Sequence, residues 1–204
     1  MDKVAGGTAV YGINNSGQIV GYYANFTPTG FVDNSGVFTD VTVPGAQSTV
    51  VQGINNLGQV VGTYLDGVGQ HGFVDIGGVF TTFDDPNATP GKTFAYGINS
   101  SGEIVGYYVD GTGDHGFVDI GGVFTTIDEP DAVAGGTRIY GVNDNGQIVG
   151  TYEDAAGITF HGFVGTLSSA VPEPESLPLL LCGLIALAAY AARRRAACHA
   201  SPRG

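Results

Sequence analysis

The feature that most constrains the fold is an internal repeat that occurs four times before residue 170. The repeated phrase reads YGINNSGQIVGYY from Tyr11, QGINNLGQVVGTY from Gln52, YGINSSGEIVGYY from Tyr96 and YGVNDNGQIVGTY from Tyr140, at spacings of 41, 44 and 44 residues. A second phrase, close to HGFVDIGGVFTT, follows each copy, although the first copy has Thr29 in place of the histidine. Repeats of this length are single supersecondary units, so neighbouring units must build the core together.

Each repeat is expected to form four short β-strands. Apolar residues alternate or occur in short runs, and nothing before residue 170 has helical periodicity. The Asn-x-x-Gly segment and the Gly-Gly pair tolerate the left-handed backbone that tight turns require. Four strands in about 44 residues is the module size of a propeller blade. We therefore predict an all-β, propeller-like fold, with a β-solenoid or an open β-array as the alternative.

The repeat positions define the expected domain organisation. Residues 1–10 are read as a linker, or as the end of a repeat that begins upstream, because DKVAGGTAVYG resembles DAVAGGTRIYG at residues 131–141. The predicted repeats span 11–51, 52–95, 96–139 and, in incomplete form, 140–170, and a separate tail spans 171–204.

Charge divides the chain at the same point. Residues 1–170 contain three basic and 17 acidic residues, whereas the tail contains four arginines and two glutamates. An acidic body repels phosphate backbones, so we expect no nucleic-acid partner. The two cysteines, Cys182 and Cys198, both lie in the tail, so no disulfide framework holds the repeats.

Three histidines, His71, His115 and His161, occupy one equivalent position in three repeats. Equivalent positions on a ring could converge on an axial metal ion. The interpretation we favour is a structural hydrogen bond inside each repeat, because the first repeat lacks the histidine. We therefore predict neither a metal site nor a cofactor.

The other recurrent polar residues point to no catalytic pair. Asp33, Asp75 and Asp119 follow Phe-Val in three repeats, at the start of a turn, where carboxylates commonly cap backbone amides. Glycoside hydrolysis needs two carboxyl groups that face each other across a cleft, and nothing in the sequence singles out such a pair. Tyrosines in the predicted strands could stack on sugars or simply form solvated strand faces; these are Tyr22, Tyr23, Tyr64, Tyr107, Tyr108 and Tyr152. We predict that the protein is not an enzyme.

The tail has the pattern of a short membrane span. Residues 177–192 contain no charge, and Arg193, Arg194 and Arg195 follow directly. As a helix this run covers about 24 Å at roughly 1.5 Å per residue, slightly less than a bilayer core of about 30 Å. Arginines beside a span stay in the cytoplasm, so the repeats are expected on the other side of the membrane.

The repeated phrases resemble the HAF-type extracellular repeats of bacteria, over residues 4–167. The resemblance implies an exported, repeat-built protein, and it supplies no catalytic residue to transfer to this chain.

The tail resembles a PEP-CTERM sorting signal, in which a Pro-Glu-Pro motif precedes a short span and an arginine cluster. The motif residues are Pro172, Glu173 and Pro174. The resemblance implies recognition by exosortase, a membrane protease-transpeptidase, in a Gram-negative bacterium that makes extracellular polysaccharide. It also implies an inner-membrane precursor and a mature protein at the cell surface or outside the cell. The apparent lack of an apolar signal sequence after Met1 predicts that the natural start lies upstream.

Together these features predict a non-enzymatic, exported interaction protein of the cell envelope, extracellular matrix or biofilm, with exopolysaccharide as a candidate partner. Two alternatives stay open. One is a glycan- or ligand-binding propeller, and the other, less favoured, is a propeller-type hydrolase.

Overall fold

The structure, a computed structural model, describes residues 7–24, 26–154, 156–157 and 159–167. The described residues form an all-β fold of fifteen strands. No helix in this part of the chain is long and apolar enough to cross a membrane. The predicted tail at 171–204, with its span at 177–192, lies outside the described residues.

The strands form four consecutive antiparallel sheets, each a simple meander. The first sheet contains β1 (Thr8–Ile13), β2 (Ile19–Ala24), β3 (Pro28–Asn34) and β4 (Val37–Val41). The second contains β5 (Ser48–Ile54), β6 (Val60–Leu65), β7 (Gln70–Ile76) and β8 (Val79–Phe83). The third contains β9 (Thr93–Ile98), β10 (Ile104–Val109), β11 (Asp114–Ile120) and β12 (Val123–Ile127). The fourth contains β13 (Ala132–Val142), β14 (Gln147–Asp154) and β15 (Phe160–Thr166).

The prediction of four-stranded antiparallel units is confirmed, and the turn chemistry explains why they form. Gly17, Gly58, Gly102 and Gly146 close the first hairpins with φ between +72° and +82°. In the second and third sheets, a Gly-Gly pair with positive φ at both residues joins the third strand to the fourth. These backbone angles cost glycine nothing and would strain a residue with a Cβ atom.

Consecutive sheets pack face to face, and the first strand of each sheet lies against the preceding sheet. β5 contacts β1, β2 and β3; β9 contacts β5, β6 and β7; and β13 contacts β9, β10 and β11. Single parallel bridges, Gln70 with Lys92 and Asp114 with Gly136, join neighbouring sheets near their ends. The sheets therefore form a continuous stack in chain order. Among the described strands, the first strand, β1, pairs with β2, and the last strand, β15, pairs with β14. β1 and β15 do not pair with each other within this part of the chain.

The core is divided among the interfaces between sheets. Val20 and Val41 of the first sheet, with Val43 just after it, meet Val51 and Phe73 of the second sheet. A similar cluster joins Val61 to Ala95 and Phe117, and a third joins Val105 to Ile139 and Ile148. Each cluster draws residues from two sheets. A single sheet of this sequence could not bury both of its faces, as the repeat pattern predicts.

Candidate functional site

One asparagine in each first hairpin connects a repeat to the next. The side-chain Oδ1 of Asn14, Asn55, Asn99 and Asn143 accepts two hydrogen bonds from backbone N–H groups of its own turn, at 2.9–3.1 Å. This is the local side-chain-to-backbone pattern that makes asparagine a turn residue.

The other half of the same amide reaches the neighbouring repeat. Nδ2 donates to the backbone oxygen of the next asparagine in the series: Asn14 to Asn55 at 3.1 Å, Asn55 to Asn99 at 2.9 Å, and Asn99 to Asn143 at 3.2 Å. We call this series the asparagine ladder. It brings the first hairpins of all four sheets side by side.

These hairpins line an open cavity of about 380 Å³, which we call the turn cavity. Its lining includes the exposed polar residues that follow the ladder asparagines: Asn15, Asn56, Asp144 and Asn145. Two contacts show how closely they converge, since the Asn15 N–H donates to Asn56 at 2.9 Å and Asn56 Nδ2 lies 3.4 Å from Asp144 Oδ2. The second contact joins the second repeat to the fourth, so the hairpins are arranged around a common centre.

A second cavity lies beside the same strands and is lined by the first residue of each repeated phrase. It has a volume of about 400 Å³ and is lined by Tyr11, Gln52, Tyr96 and Tyr140. We call it the axial cavity. Each lining residue coincides with a register shift in the pairing of its strand, between positions 10 and 12, 51 and 53, 95 and 97, and 139 and 141. Such bulges leave one residue out of the ladder and redirect its side chain.

Further rings support the tyrosines of the axial cavity. Tyr11 stacks on Tyr22 with ring centroids 5.9 Å apart, and Tyr96 stacks on Tyr107 at 5.7 Å. Tyr140 meets Tyr96 edge to face at 5.1 Å. Of the tyrosines considered from the sequence, Tyr22 and Tyr107 thus lie behind the cavity.

The tyrosine cluster is also fixed electrostatically. The Arg138 guanidinium lies 5.2 Å from the Tyr107 ring centroid, and its Nε donates to Asp114 at 2.6 Å. Burial is the main cause that raises the pKa of Tyr96 and of Tyr107. Both phenols are therefore neutral hydrogen-bonding groups at physiological pH.

The predicted histidines lie away from both cavities, at the ends of the strands opposite the first hairpins. His71 stacks on Tyr64 at 5.2 Å; its Nδ1 lies 2.8 Å from Asp84, and its Nε2 lies 3.1 Å from Asp66. His115 repeats the arrangement with Tyr108, with Asp128 at 2.8 Å and with Asp110 at 3.2 Å. Each ring is clamped inside its own repeat between a loop carboxylate and a linker carboxylate.

Burial opposes protonation of these two histidines, but the hydrogen bonds and charges of their carboxylates outweigh it and raise the pKa of His71 and of His115. The loop carboxylates shift the other way. Backbone N–H groups of Val68 and Gly69 lower the pKa of Asp66, and the hydroxyl and N–H of Thr112 lower the pKa of Asp110 to about 2. The charged forms of both partners are thus favoured together.

The third predicted histidine keeps less of this arrangement. His161 stacks on Tyr152 at 5.1 Å, and its Nε2 lies 3.5 Å from Asp154. Its side chain is 45% exposed, against 10% for His71. Asp84 follows His71 by thirteen residues. The equivalent position after His161 is Pro174, which lies outside the described residues.

The recurrent aspartates also have local partners. Asp33, Asp75 and Asp119 each accept a hydrogen bond at 2.7 Å from the N–H of the glycine three residues later, in the turn between the third and fourth strands. Asp85 differs, because burial raises its pKa and its Oδ2 has no hydrogen-bond partner among the described residues. Asp85 and Asp119 are both buried, so a substrate could not reach either carboxyl group.

Comparison with known proteins adds no further assignment. No protein-family model matches the sequence, and no curated protein matches it significantly. Within the described part of the chain, no three His, Cys, Asp or Glu side chains form a group suited to a metal ion. The sorting-signal residues Pro172, Glu173 and Pro174, with Arg193, Arg194 and Arg195, lie outside the described residues.

Reasoning from the sequence missed Tyr11, Gln52, Tyr96 and Tyr140. Their signal was present, since they open the four repeated phrases, but a strand pattern assigns them only to one face of a sheet. The bulges that turn all four toward one cavity depend on pairing register, which the phrase itself does not encode.

Proposed function

We propose that this protein is an exported, non-enzymatic interaction protein of the cell envelope or extracellular matrix, built as a propeller-like stack of repeats. One observation supports the non-enzymatic part above all. The recurrent histidines and aspartates hold their own repeats together, whereas the described lining of the two cavities consists of tyrosines, amides and aliphatic side chains, with Asp144 as its one carboxylate. This is the chemistry of recognition and not of acid–base catalysis.

The proposal assigns the export to the tail. The order Pro-Glu-Pro, a charge-free run and three arginines is the pattern that exosortase would recognise and process, with Pro172, Glu173 and Pro174 as the recognised residues. The arginines would hold the carboxyl end in the cytoplasm while the acidic repeats face outward. The precursor would lie transiently in the inner membrane, and the mature protein would leave it for the surface or the medium.

A hydrolase is the weaker alternative. Asp85 and Asp119, whose pKa values burial raises, are buried, and they line neither the turn cavity nor the axial cavity. A glycan- or ligand-binding propeller has more support, because equivalent residues of all four repeats line one cavity.

Export is tested by fractionation and intact-mass analysis in a Gram-negative bacterium that possesses exosortase. We expect the wild-type protein at the surface or in the medium, lacking the residues after the Pro-Glu-Pro motif. Glu173→Ala should accumulate in the membrane with its tail intact, because the recognised carboxylate is gone. Glu175→Ala, two residues away, is the matched control and should be processed normally. Full-length wild-type protein free in the cytoplasm would contradict the proposal.

A further inference from the structure

The axial cavity depends on four separate bulges, each of which directs one of its lining residues. A bulge interrupts strand pairing, and here one occurs at the same position in the first strand of every sheet. The residue left out of the register is Tyr11, Gln52, Tyr96 or Tyr140, and these are the four described residues that line the cavity. Bulges commonly redirect side chains at functional sites, which gives this regularity a use beyond packing.

The cavity can be entered by a ligand of moderate size. Its volume of about 400 Å³ falls within the range of roughly 300–1,000 Å³ that ligand sites occupy. Tyr11 is 51% exposed and Tyr140 is 37% exposed, so at least two rings offer surface to solvent. Tyr22 packs against Tyr11 and Tyr96 packs against Tyr140, and these contacts hold the exposed rings in place, which limits the entropy lost on binding.

Polar groups flank the aromatic surface in a consistent direction. Gln52 supplies an amide within the axial cavity. Two residues further along the strands, aliphatic side chains line the turn cavity: Ile13, Ile54, Ile98 and Val142. The rim of the turn cavity carries the amides of Asn15, Asn56 and Asn145. Along the strands, the aromatic surface of the axial cavity is therefore followed by these aliphatic side chains and then by the hairpin amides.

The charge of the lining restricts the ligand class. Among the described residues, three tyrosines and one glutamine line the axial cavity, and Asp144 is the one charged residue that lines the turn cavity. The repeats are strongly acidic overall, so an anionic ligand would be repelled. Flat C–H faces that stack on tyrosine, with hydroxyls spaced around them for amides, are the surfaces of a neutral sugar ring.

We propose that the axial and turn cavities together bind a stretch of neutral polysaccharide, with the exposed rings of Tyr11 and Tyr140 stacking on sugar rings and the hairpin amides holding the sugar hydroxyls. The inference deepens the proposed function, on which it rests, by naming the partner of an interaction protein. The tyrosines that line the axial cavity come from three repeats, so the binding site forms only when the repeats are stacked.

The test is direct titration of the purified full-length chain with neutral gluco-, manno- and galacto-configured hexasaccharides, and with a hexauronate of equal length. The chain contains ten tyrosines and no tryptophan, so tyrosine emission reports on the site alongside calorimetry. We expect at least one neutral hexasaccharide to bind, and the hexauronate to bind at least tenfold more weakly.

Variants then locate the binding. Tyr11→Ala and Tyr140→Ala should each weaken it tenfold or more, while Tyr140→Phe, which keeps the ring, should weaken it less. Tyr152→Ala is the matched control, because Tyr152 stacks on His161 away from the cavity. Circular dichroism of each variant checks the fold, and Gln52→Ala provides a second probe if a tyrosine variant unfolds.

Three outcomes would overturn the inference: no neutral hexasaccharide binds at millimolar concentration, the hexauronate binds best, or Tyr152→Ala weakens binding as much as Tyr11→Ala does. None of these results bears on export. A chain that binds sugar but stays in the cytoplasm would instead contradict the proposed function and leave the cavity assignment intact.

Discussion

The third and fourth sheets carry nearly the same sequence in very different surroundings. Val105 in the third sheet is fully buried, whereas its equivalent in the fourth, Val149, is 47% exposed. Val118 and Val164 show the same contrast. The residues do not differ, so the difference comes from the following sheet, which covers Val105 and is absent over Val149 among the described residues.

The other end of the stack shows the complementary effect. Val51 of the second sheet is fully buried against the first, while the equivalent Val10 is 58% exposed. Each sheet therefore has two apolar faces, and each face becomes core only when a neighbour covers it. Burial in this protein is a property of a repeat's position in the stack and not of its sequence alone.

The largest expected effect is a difference in stability loss between two phenylalanines at equivalent positions of the repeated phrase. Phe117 is fully buried against the second sheet, and Phe163 in the fourth sheet is half-buried. Phe117→Ala should lower the free energy of unfolding by about 3–5 kcal/mol, because it removes a buried ring and leaves a cavity. Phe163→Ala should cost clearly less. Urea denaturation of both variants measures the difference, and equal losses would show that exposure in the fourth sheet does not reflect weaker packing.

A smaller effect is expected for the paired valines. Val105→Ala removes buried methyl groups worth roughly 0.8 kcal/mol each plus a cavity term, so a loss of about 2 kcal/mol is expected. Val149→Ala, the matched control, should change the free energy of unfolding by less than about 0.5 kcal/mol. The comparison uses the same denaturation assay. If Val149→Ala were as costly as Val105→Ala, something in solution must cover the fourth sheet.

The smallest expected effect is a pH dependence of stability from His71 and His115. Their pKa values are raised in the folded state, so their stabilisation is fully present below the unfolded pKa of about 6.5 and is lost as pH rises through the folded values. The melting temperature should therefore fall between pH 5.5 and pH 8.5, and the double variant His71→Gln/His115→Gln should reduce that fall by a few degrees.

The control for the pH experiment is His161→Gln. The side chain of His161 is largely exposed and its carboxylate contact is long, so its removal should leave the pH dependence close to that of the wild type. A double variant that melts with the wild-type pH profile would show that the two clamped histidines contribute nothing through their charge.

The sequence predicted the repeating unit well and the contacts between units poorly. Asn-x-x-Gly and Gly-Gly fix hairpins through local backbone preferences, so the four-stranded sheets could be anticipated. The asparagine ladder could not, because Asn55 finds the backbone of Asn99 only after the repeats have stacked. Likewise, Tyr96 and Tyr140 meet at one cavity because of bulges, and bulges arise from the register between strands.

The asparagine ladder has a consequence for how such a gene can change. Each amide binds a peptide carbonyl of the next unit and asks for no particular side chain there. Duplication or loss of a whole module that keeps its own hairpin would therefore leave the ladder hydrogen bonds satisfied, whereas junctions such as that between Arg138 and Asp114 also require a matching side chain.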